Sequence, residues 1–223
     1  MTQQIRGMLV CLLVLSTIVG CGKTTPEATT TPQGTQGKTT SQSATVPQDG
    51  WKEIAGQGVT LSLPANYEGG NPSTDLDEIT QKLKAIAPSY AQGMEVIKQN
   101  PDAIALLAFD PQSGKTGFLT NVNITKEDVP QDVTVEQYLQ AASQQIASRY
   151  KVLELRHVIP LDQYQAGRIM AEAKAGEITI KQLFYAVKND NKFWLVMYST
   201  NSAEFDKRLP NFEQSIRTFK VSQ

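Results

Sequence analysis

Hydrophobic and polar positions change character at residue 50, and everything after it carries the periodicities of folded elements. Val59, Leu61 and Leu63 alternate with Thr60 and Ser62, the period of a half-buried strand, and Lys52-Glu53-Ile54-Ala55 before them completes a hairpin. Residues 67–72 read as a loop. Ser73 or Thr74 caps a helix whose first turn carries Asp75, Asp77 and Glu78, the charge favoured by the helix dipole. Leu76, Ile79, Leu83 and Ile86 follow at helical spacing. Pro88 interrupts them, and a second helical piece over residues 89–99 gathers Tyr90, Met94 and Ile97 until Asn100-Pro101 stops it. The run 103–109 is apolar enough for a central strand, and Asp110-Pro111-Gln112-Ser113-Gly114 turns out of it with proline at the favoured second position. Residues 118–125 alternate again, with Phe118, Thr120, Val122 and Ile124 on one face.

Thr134, with Gln137 three residues on, predicts a capping box. The helix it opens has an apolar stripe of Val135, Tyr138, Leu139, Ala142 and Ile146. The last third is mostly strand: residues 152–159, then 164–173 pairing with 177–187 across Lys174-Ala175-Gly176, then 193–199 after the turn Asn189-Asp190-Asn191. Asn201 with Glu204 is a second capping-box pattern, opening a final helix through Phe205, Leu209, Phe212 and Ile216 that Pro210 kinks or restarts. Residues 218–221 add an edge strand. The order is β-β-α-(α)-β-β-α-β-β-β-β-α. Hairpins make most connections, so the expected fold is α+β: a mainly antiparallel β-sheet covered by helices, an α/β/α sandwich, in one domain over residues 51–223.

The first fifty residues are a different polymer. Arg6 precedes an uncharged apolar run over residues 7–19, shorter than the roughly 20 residues of a spanning helix and suited to a signal peptide. Ile18-Val19-Gly20-Cys21 then resembles the lipobox of bacterial lipoproteins. That resemblance implies cleavage after Gly20, a diacylglycerol thioether on Cys21 and acylation of the new N-terminus. Paired acyl chains anchor a protein stably at a membrane, here facing the periplasm, the cell exterior or the thylakoid lumen. Residues 22–50 are almost entirely Thr, Gln, Gly, Ser, Pro and Lys, which cannot bury enough surface to fold. They read as a disordered tether with a reach of roughly 30 Å.

Charge and composition narrow the function. The net charge is −1, and becomes −2 once Arg6 leaves with residues 1–20, so the basic face that a general nucleic-acid binder needs is missing. The only cysteines are Cys11, lost with the signal, and Cys21, so the folded part has no disulfide, thiol nucleophile or thiolate ligand. His157 is the only histidine. It lies in a predicted strand, and no serine sits in a G-x-S-x-G elbow to use it as a base. Ser113-Gly114-Lys115-Thr116 matches the end of a P-loop, but Phe109 stands where the pattern requires glycine. Asp75, Asp77 and Glu78 lack the glycine and closing glutamate of a calcium loop. Asp128, Asp132 and Asp190 are scattered in loops and turns. Trp194 and Tyr198 share a strand face, with Tyr185 and Phe193 on the same hairpin, as core aromatics or as a pocket lining. No catalytic residue, metal ligand or cofactor is expected.

The element order, the strand pair around Gly58-Val59-Thr60-Leu61-Ser62-Leu63-Pro64, the hairpin Lys181-Gln182-Leu183-Phe184-Tyr185-Ala186-Val187 with Phe193-Trp194-Leu195-Val196-Met197-Tyr198, and the close at Ser215-Ile216-Arg217-Thr218-Phe219 resemble the PsbP-like superfamily. That superfamily includes the photosystem II PsbP proteins, Mog-type Ran-binding proteins and DcrB-type envelope lipoproteins. The resemblance implies a membrane-anchored, non-enzymatic interaction, assembly or stability factor for a membrane complex of the cell envelope or thylakoid, with a protein partner in that complex. The extra apolar helices suggest an alternative: a binding protein for a small apolar or lipid ligand, held between residues 73–99 and the sheet.

Overall fold

The computed structural model describes residues 49–222. The predicted signal peptide, Cys11, Cys21 and all but the end of the tether lie outside the described residues. β1 (Trp51–Gly56) and β2 (Val59–Pro64) form the expected hairpin, with Trp51 opposite Pro64 and Gly56 opposite Val59. β3 (Glu68–Gly70) leads to α1 (Pro72–Ile86) and α2 (Pro88–Gln99). Then come β4 (Leu106–Phe109), β5 (Asn121–Asp128) and α3 (Val135–Ile146). Four long strands follow: β6 (Lys151–Leu161), β7 (Tyr164–Ala175), β8 (Ile178–Asn189) and β9 (Lys192–Asn201). α4 (Ser202–Ile216) and β10 (Lys220–Val221) close the chain.

The strands make two antiparallel sheets. One has three strands in the order β1-β2-β10; the other has seven, β3-β4-β5-β9-β8-β7-β6. The architecture is α+β, with four helices packed on the sheets. Against one face of the large sheet lie the small sheet and α4. Ile54, Leu61 and Leu63 meet Phe205, Phe212 and the inward residues Val122, Leu183, Val196 and Tyr198 in one buried cluster. Two separate covers take the other face. α1 and α2 pack Ile79, Leu83, Met94 and Ile97 on Leu107 and Phe109. α3 packs Tyr138, Leu139 and Ile146 on Ile169, Phe184 and Met197.

Several local expectations are corrected. The N-terminal hairpin heads its own sheet and does not extend the main one, because its alternation specifies a buried face but no neighbour. Its turn docks on the start of β4: Gln57 donates its backbone N–H to the Ala105 carbonyl at 2.7 Å, and a Cβ on Gly56 would overlap that carbonyl. Within the expected loop 67–72, Glu68-Gly69-Gly70 pairs with β4, where Gly69 takes φ +146°, a conformation that side chains disfavour. The cap of α1 is Asn71, whose side chain accepts from the Ser73 N–H at 3.0 Å, with Pro72 at the first helical position; it is neither Ser73 nor Thr74. Ile86 leaves the apolar stripe and stands exposed at the helix end.

β4 begins only at Leu106, because Pro101–Ala103 takes a 3₁₀ turn, and it lies second from an edge and not at the centre. β5 is displaced to Asn121–Asp128, beyond Phe118 and Thr120. The β7–β8 turn falls at Gly176-Glu177, two residues later than the expected start, since Ala175 pairs with Ile178. Pro210 does not restart α4, which runs through it as one helix; proline stands on the exposed side, where water can replace the lost donor.

The capping box of α3 forms as read: the Gln137 N–H donates to Thr134 Oγ1 at 3.2 Å and the Thr134 N–H donates to Gln137 Oε1 at 3.0 Å. Thr134→Ala removes the first bond and is expected to cost about 1 kcal/mol. Urea denaturation should show a lower midpoint with an unchanged slope.

Candidate functional site

The residues singled out by chemistry are dispersed. His157 sits in β6 at a bulge, where pairing with β7 shifts between Arg156 and Ile159. Its Nδ1 is 3.6 Å from Glu136 Oε1 of α3, and its Nε2 is buried with no hydrogen-bond partner among the described residues. Ser113-Gly114-Lys115-Thr116 is a 3₁₀ turn, not a simple hairpin turn. The Ser113 hydroxyl donates to the Asp110 carbonyl at 2.7 Å and accepts from the Thr120 N–H at 2.8 Å, which closes the β4–β5 loop on itself. Asp75 turns back to the start of α1, where Oδ2 accepts from the Asn71 N–H at 2.9 Å. Glu78 pairs with Lys82 at 2.8 Å, and Asp77 is exposed. Among the described residues no group of three His, Cys, Asp or Glu side chains could hold a metal ion. Asp128 pairs with Lys192 at 3.0 Å, Asp132 is exposed, and Asp190 occupies the β8–β9 turn with φ +54°.

The aromatic stripe is core. Trp194 and Tyr198 face the small sheet and α4, and Tyr198 stacks on Phe212 with ring centroids 4.8 Å apart. Phe193 faces α3 and stacks on Tyr138 at 4.0 Å. Met94 lies buried between α2 and the sheet, and Tyr90 Oη accepts from the Leu119 N–H at 3.2 Å. The space considered for an apolar ligand, between residues 73–99 and the sheet, is thus packed with side chains. A cavity of about 30 Å³ opens instead under α3, lined by Asn123, Tyr138, Leu139, Ile169, Phe184 and Met197 among others. Its volume is that of a water molecule or two, whereas small-molecule pockets run to roughly 300–1,000 Å³.

At the rim of this cavity the Tyr138 hydroxyl donates to Glu127 Oε2 at 2.9 Å. Burial pushes the Glu127 carboxyl up to about 7, the Tyr138 hydrogen bond opposes the shift, and neighbouring Asp128 adds to it. Between the two helical covers runs a buried polar row, Asn121, Ser199 and Gln182, in successive cross-strand register. Gln182 Nε2 donates to Ser199 Oγ at 2.9 Å and Asn121 Nδ2 to the Leu119 carbonyl at 2.9 Å.

Two ionic braces escaped the sequence reading. Arg168, with its side chain 6% exposed, donates to Glu154 Oε1 through Nε at 2.8 Å and to Glu213 Oε1 through Nη1 at 2.7 Å, joining β7, β6 and α4. Arg208 of α4 donates through Nη1 to Asp110 Oδ2 at 2.8 Å, while Asp110 Oδ1 accepts from Asn66 Nδ2 at 2.8 Å. The available signal was an arginine on the inward phase of an apolar strand, between Ala166 and Met170. What stays open is apolar. Val96 of α2 is 50% exposed, and on β6, the long edge of the large sheet, Val158 is 84% exposed, with Leu153 and Leu155 beside it.

This arrangement of sheet and helices occurs in solved structures. The fold is PsbP-like. The cyanobacterial PsbP (CyanoP) of Synechocystis superposes with a TM-score of 0.50 at 11% identity, over 81% of this chain and 98% of that one. LpqN of Mycobacterium tuberculosis, involved in cell envelope biogenesis, gives 0.47 at 8% identity, over 74% of this chain and 83% of its own. The Ran-binding protein Mog1p of Saccharomyces cerevisiae gives 0.46 at 10%, over 77% and 95%. No protein-family model and no curated protein matches the sequence. At these identities the likeness is one of fold.

The Glu127 carboxyl sets a pH dependence. Its folded pKa, about 7, lies above its ordinary value of 4.5, so between these values the folded state holds a proton that the unfolded chain has released. Its contribution is therefore fully present below about pH 4.5 and is lost as pH rises through 7. Glu127→Gln keeps an acceptor for Tyr138 and loses the charge. Its stability relative to wild type should rise across that window and level off above it, by about 1–2 kcal/mol after discounting for partial solvation. Parallel denaturant titrations from acid to mild alkali read the difference directly.

Proposed function

We propose that the protein is a membrane-tethered, non-enzymatic interaction module that assists the assembly or stability of a membrane complex in a bacterial envelope or thylakoid. One observation carries this reading: apolar side chains are held open on a cross-braced domain, in which the buried Arg168 and the half-buried Arg208 are engaged in holding elements together. Arg168 ties two strands to α4, and Arg208 ties α4 to the β4–β5 loop. Outside these braces, Val96 and Ile86 on the α1–α2 pair and three residues of β6 remain open to solvent. Such positions suit protein contact, and the PsbP-like fold is compatible with an accessory role. A cavity of about 30 Å³ gives little support to the alternative of a lipid-binding protein.

The membrane part of the reading rests on Cys21, modified by diacylglycerol after cleavage behind Gly20, with residues 22–50 as the tether. Among the described residues no helix is long and apolar enough to cross a membrane. Two measurements test the proposal. Labelled palmitate should be incorporated into the wild-type chain and not into Cys21→Ala, which should leave the membrane fraction. A photo-reactive residue in place of Val96, in the full chain in its native membrane, should capture one dominant complex identifiable by mass spectrometry. Capture of nothing from intact membranes would overturn the interaction role, and labelling that persists in Cys21→Ala would overturn the anchor.

A further inference from the structure

Among the described residues one strand edge is far longer than the rest. β3 has three residues, β10 two and β1 six, whereas β6 has eleven and borders the seven-stranded sheet. Long edges are normally blunted by charge, proline or bulges. β6 carries all three, yet Leu153, Leu155 and Val158 remain exposed along it.

The positions of those blunting devices are themselves informative. Pairing with β7 is irregular at two places, between Val152 and Glu154 and between Arg156 and Ile159. Leu153 and His157 at these irregularities stand two residues either side of Leu155. The charges flank the same centre: Glu154 on one side, Arg156 on the other. A two-fold axis through Leu155 therefore sets Leu155 opposite Leu155, Glu154 opposite Arg156 twice, Leu153 opposite His157 and Val152 opposite Val158. Bulge meets bulge, so the count of residues stays matched. Each carboxylate meets a guanidinium, the arrangement that stabilises a cross-strand pair. The Arg156 side chain is 57% exposed and free to serve both its own Glu154 and the one opposite.

We propose that the β6 edge is a self-association surface: two copies of this chain pair antiparallel through β6 about Leu155, joining their seven-stranded sheets into one. The contact is isologous, the usual closed symmetry of a dimer. A junction along nine or so residues is small beside the roughly 800 Å² per partner of a standard interface. The association is accordingly weak in dilute solution and strengthens where chains are confined to one surface. This goes beyond the accessory role proposed above and takes from it only the open residues of β6; that role is tested at Val96, on another part of the molecule, so the two can fail separately.

The test uses engineered cysteines in the full chain, with the wild type, carrying Cys11 and Cys21, as baseline. Leu155→Cys places two thiols face to face across the axis, within disulfide reach. Val158→Cys is far more exposed, 84% for the native residue, but lies opposite Val152 and away from its own copy. Mild oxidation should give disulfide dimer from Leu155→Cys at several-fold the yield of Val158→Cys. Adding Arg156→Glu sets a carboxylate opposite Glu154 and should reduce the Leu155→Cys dimer several-fold. Sedimentation of the wild type should show a concentration-dependent dimer. Equal or greater crosslinking at position 158, an unchanged yield with Arg156→Glu, or a monomer at every concentration overturns the proposal.

Discussion

The centre of the large sheet is apolar on both faces, and that requirement organises the rest of the molecule. Along β9, Trp194, Val196 and Tyr198 enter one layer while Phe193 and Met197 enter the other. No single helix covers seven strands, so covers are drawn from distant parts of the chain. The N-terminal hairpin and the C-terminal helix meet on one side, and α3 and the α1–α2 pair divide the other. A buried relay fixes the first of these layers. Tyr198 Oη and Ser215 Oγ are hydrogen-bonded at 3.0 Å, and Ser215 Oγ donates to the Ser62 carbonyl at 2.7 Å, linking β9, α4 and β2. Polar groups taken out of water this deeply must be satisfied, so the relay specifies one arrangement of the three elements.

What the sequence revealed follows from which forces are local. The capping box at Thr134 and Gln137, the hairpins 164–187 and 177–199, and the shared face of Trp194 and Tyr198 depend on residues close in the chain, and all appear in the fold. β3 was illegible because Glu68-Gly69-Gly70 carries no alternation; β4 imposes its extended form by pairing. The Asn71 cap was hidden behind better-known candidates at Ser73 and Thr74, although Pro72 at the first helical position favoured Asn71. The separation of two sheets was illegible for another reason: alternation states which face is buried and is silent on which strand lies alongside.

The same division explains the site residues. Sequence motifs directed attention to Ser113 and Asp75, each held by nearby partners, and to His157, which only approaches Glu136 of α3 at 3.6 Å. The groups that matter electrostatically find partners across long separations: Arg168 meets Glu154 and Glu213, and Arg208 meets Asp110, 98 residues away. Spacing cannot announce such pairs. A buried ion pair adds little net stability over an apolar substitute, while losing one partner is costly. These braces are better understood as fixing α4 and β6 in register with the sheet than as reservoirs of stability.

Likeness of fold to cyanobacterial PsbP at 11% identity means that one pattern can be met by different side chains. Function therefore has to be sought where pattern leaves freedom: on surfaces, at edges and in the segments flanking the fold. The chain's own distribution of character agrees. Among the described residues the interior is closed by packing and braces, and the exposed large apolar residues gather on the α1–α2 pair and on β6. A long, low-complexity segment precedes the fold in the sequence. A weak edge contact does little between molecules that diffuse in three dimensions. The same contact between molecules held at one surface would act at a much higher effective concentration, so the proposed anchor and the proposed edge contact would reinforce one another.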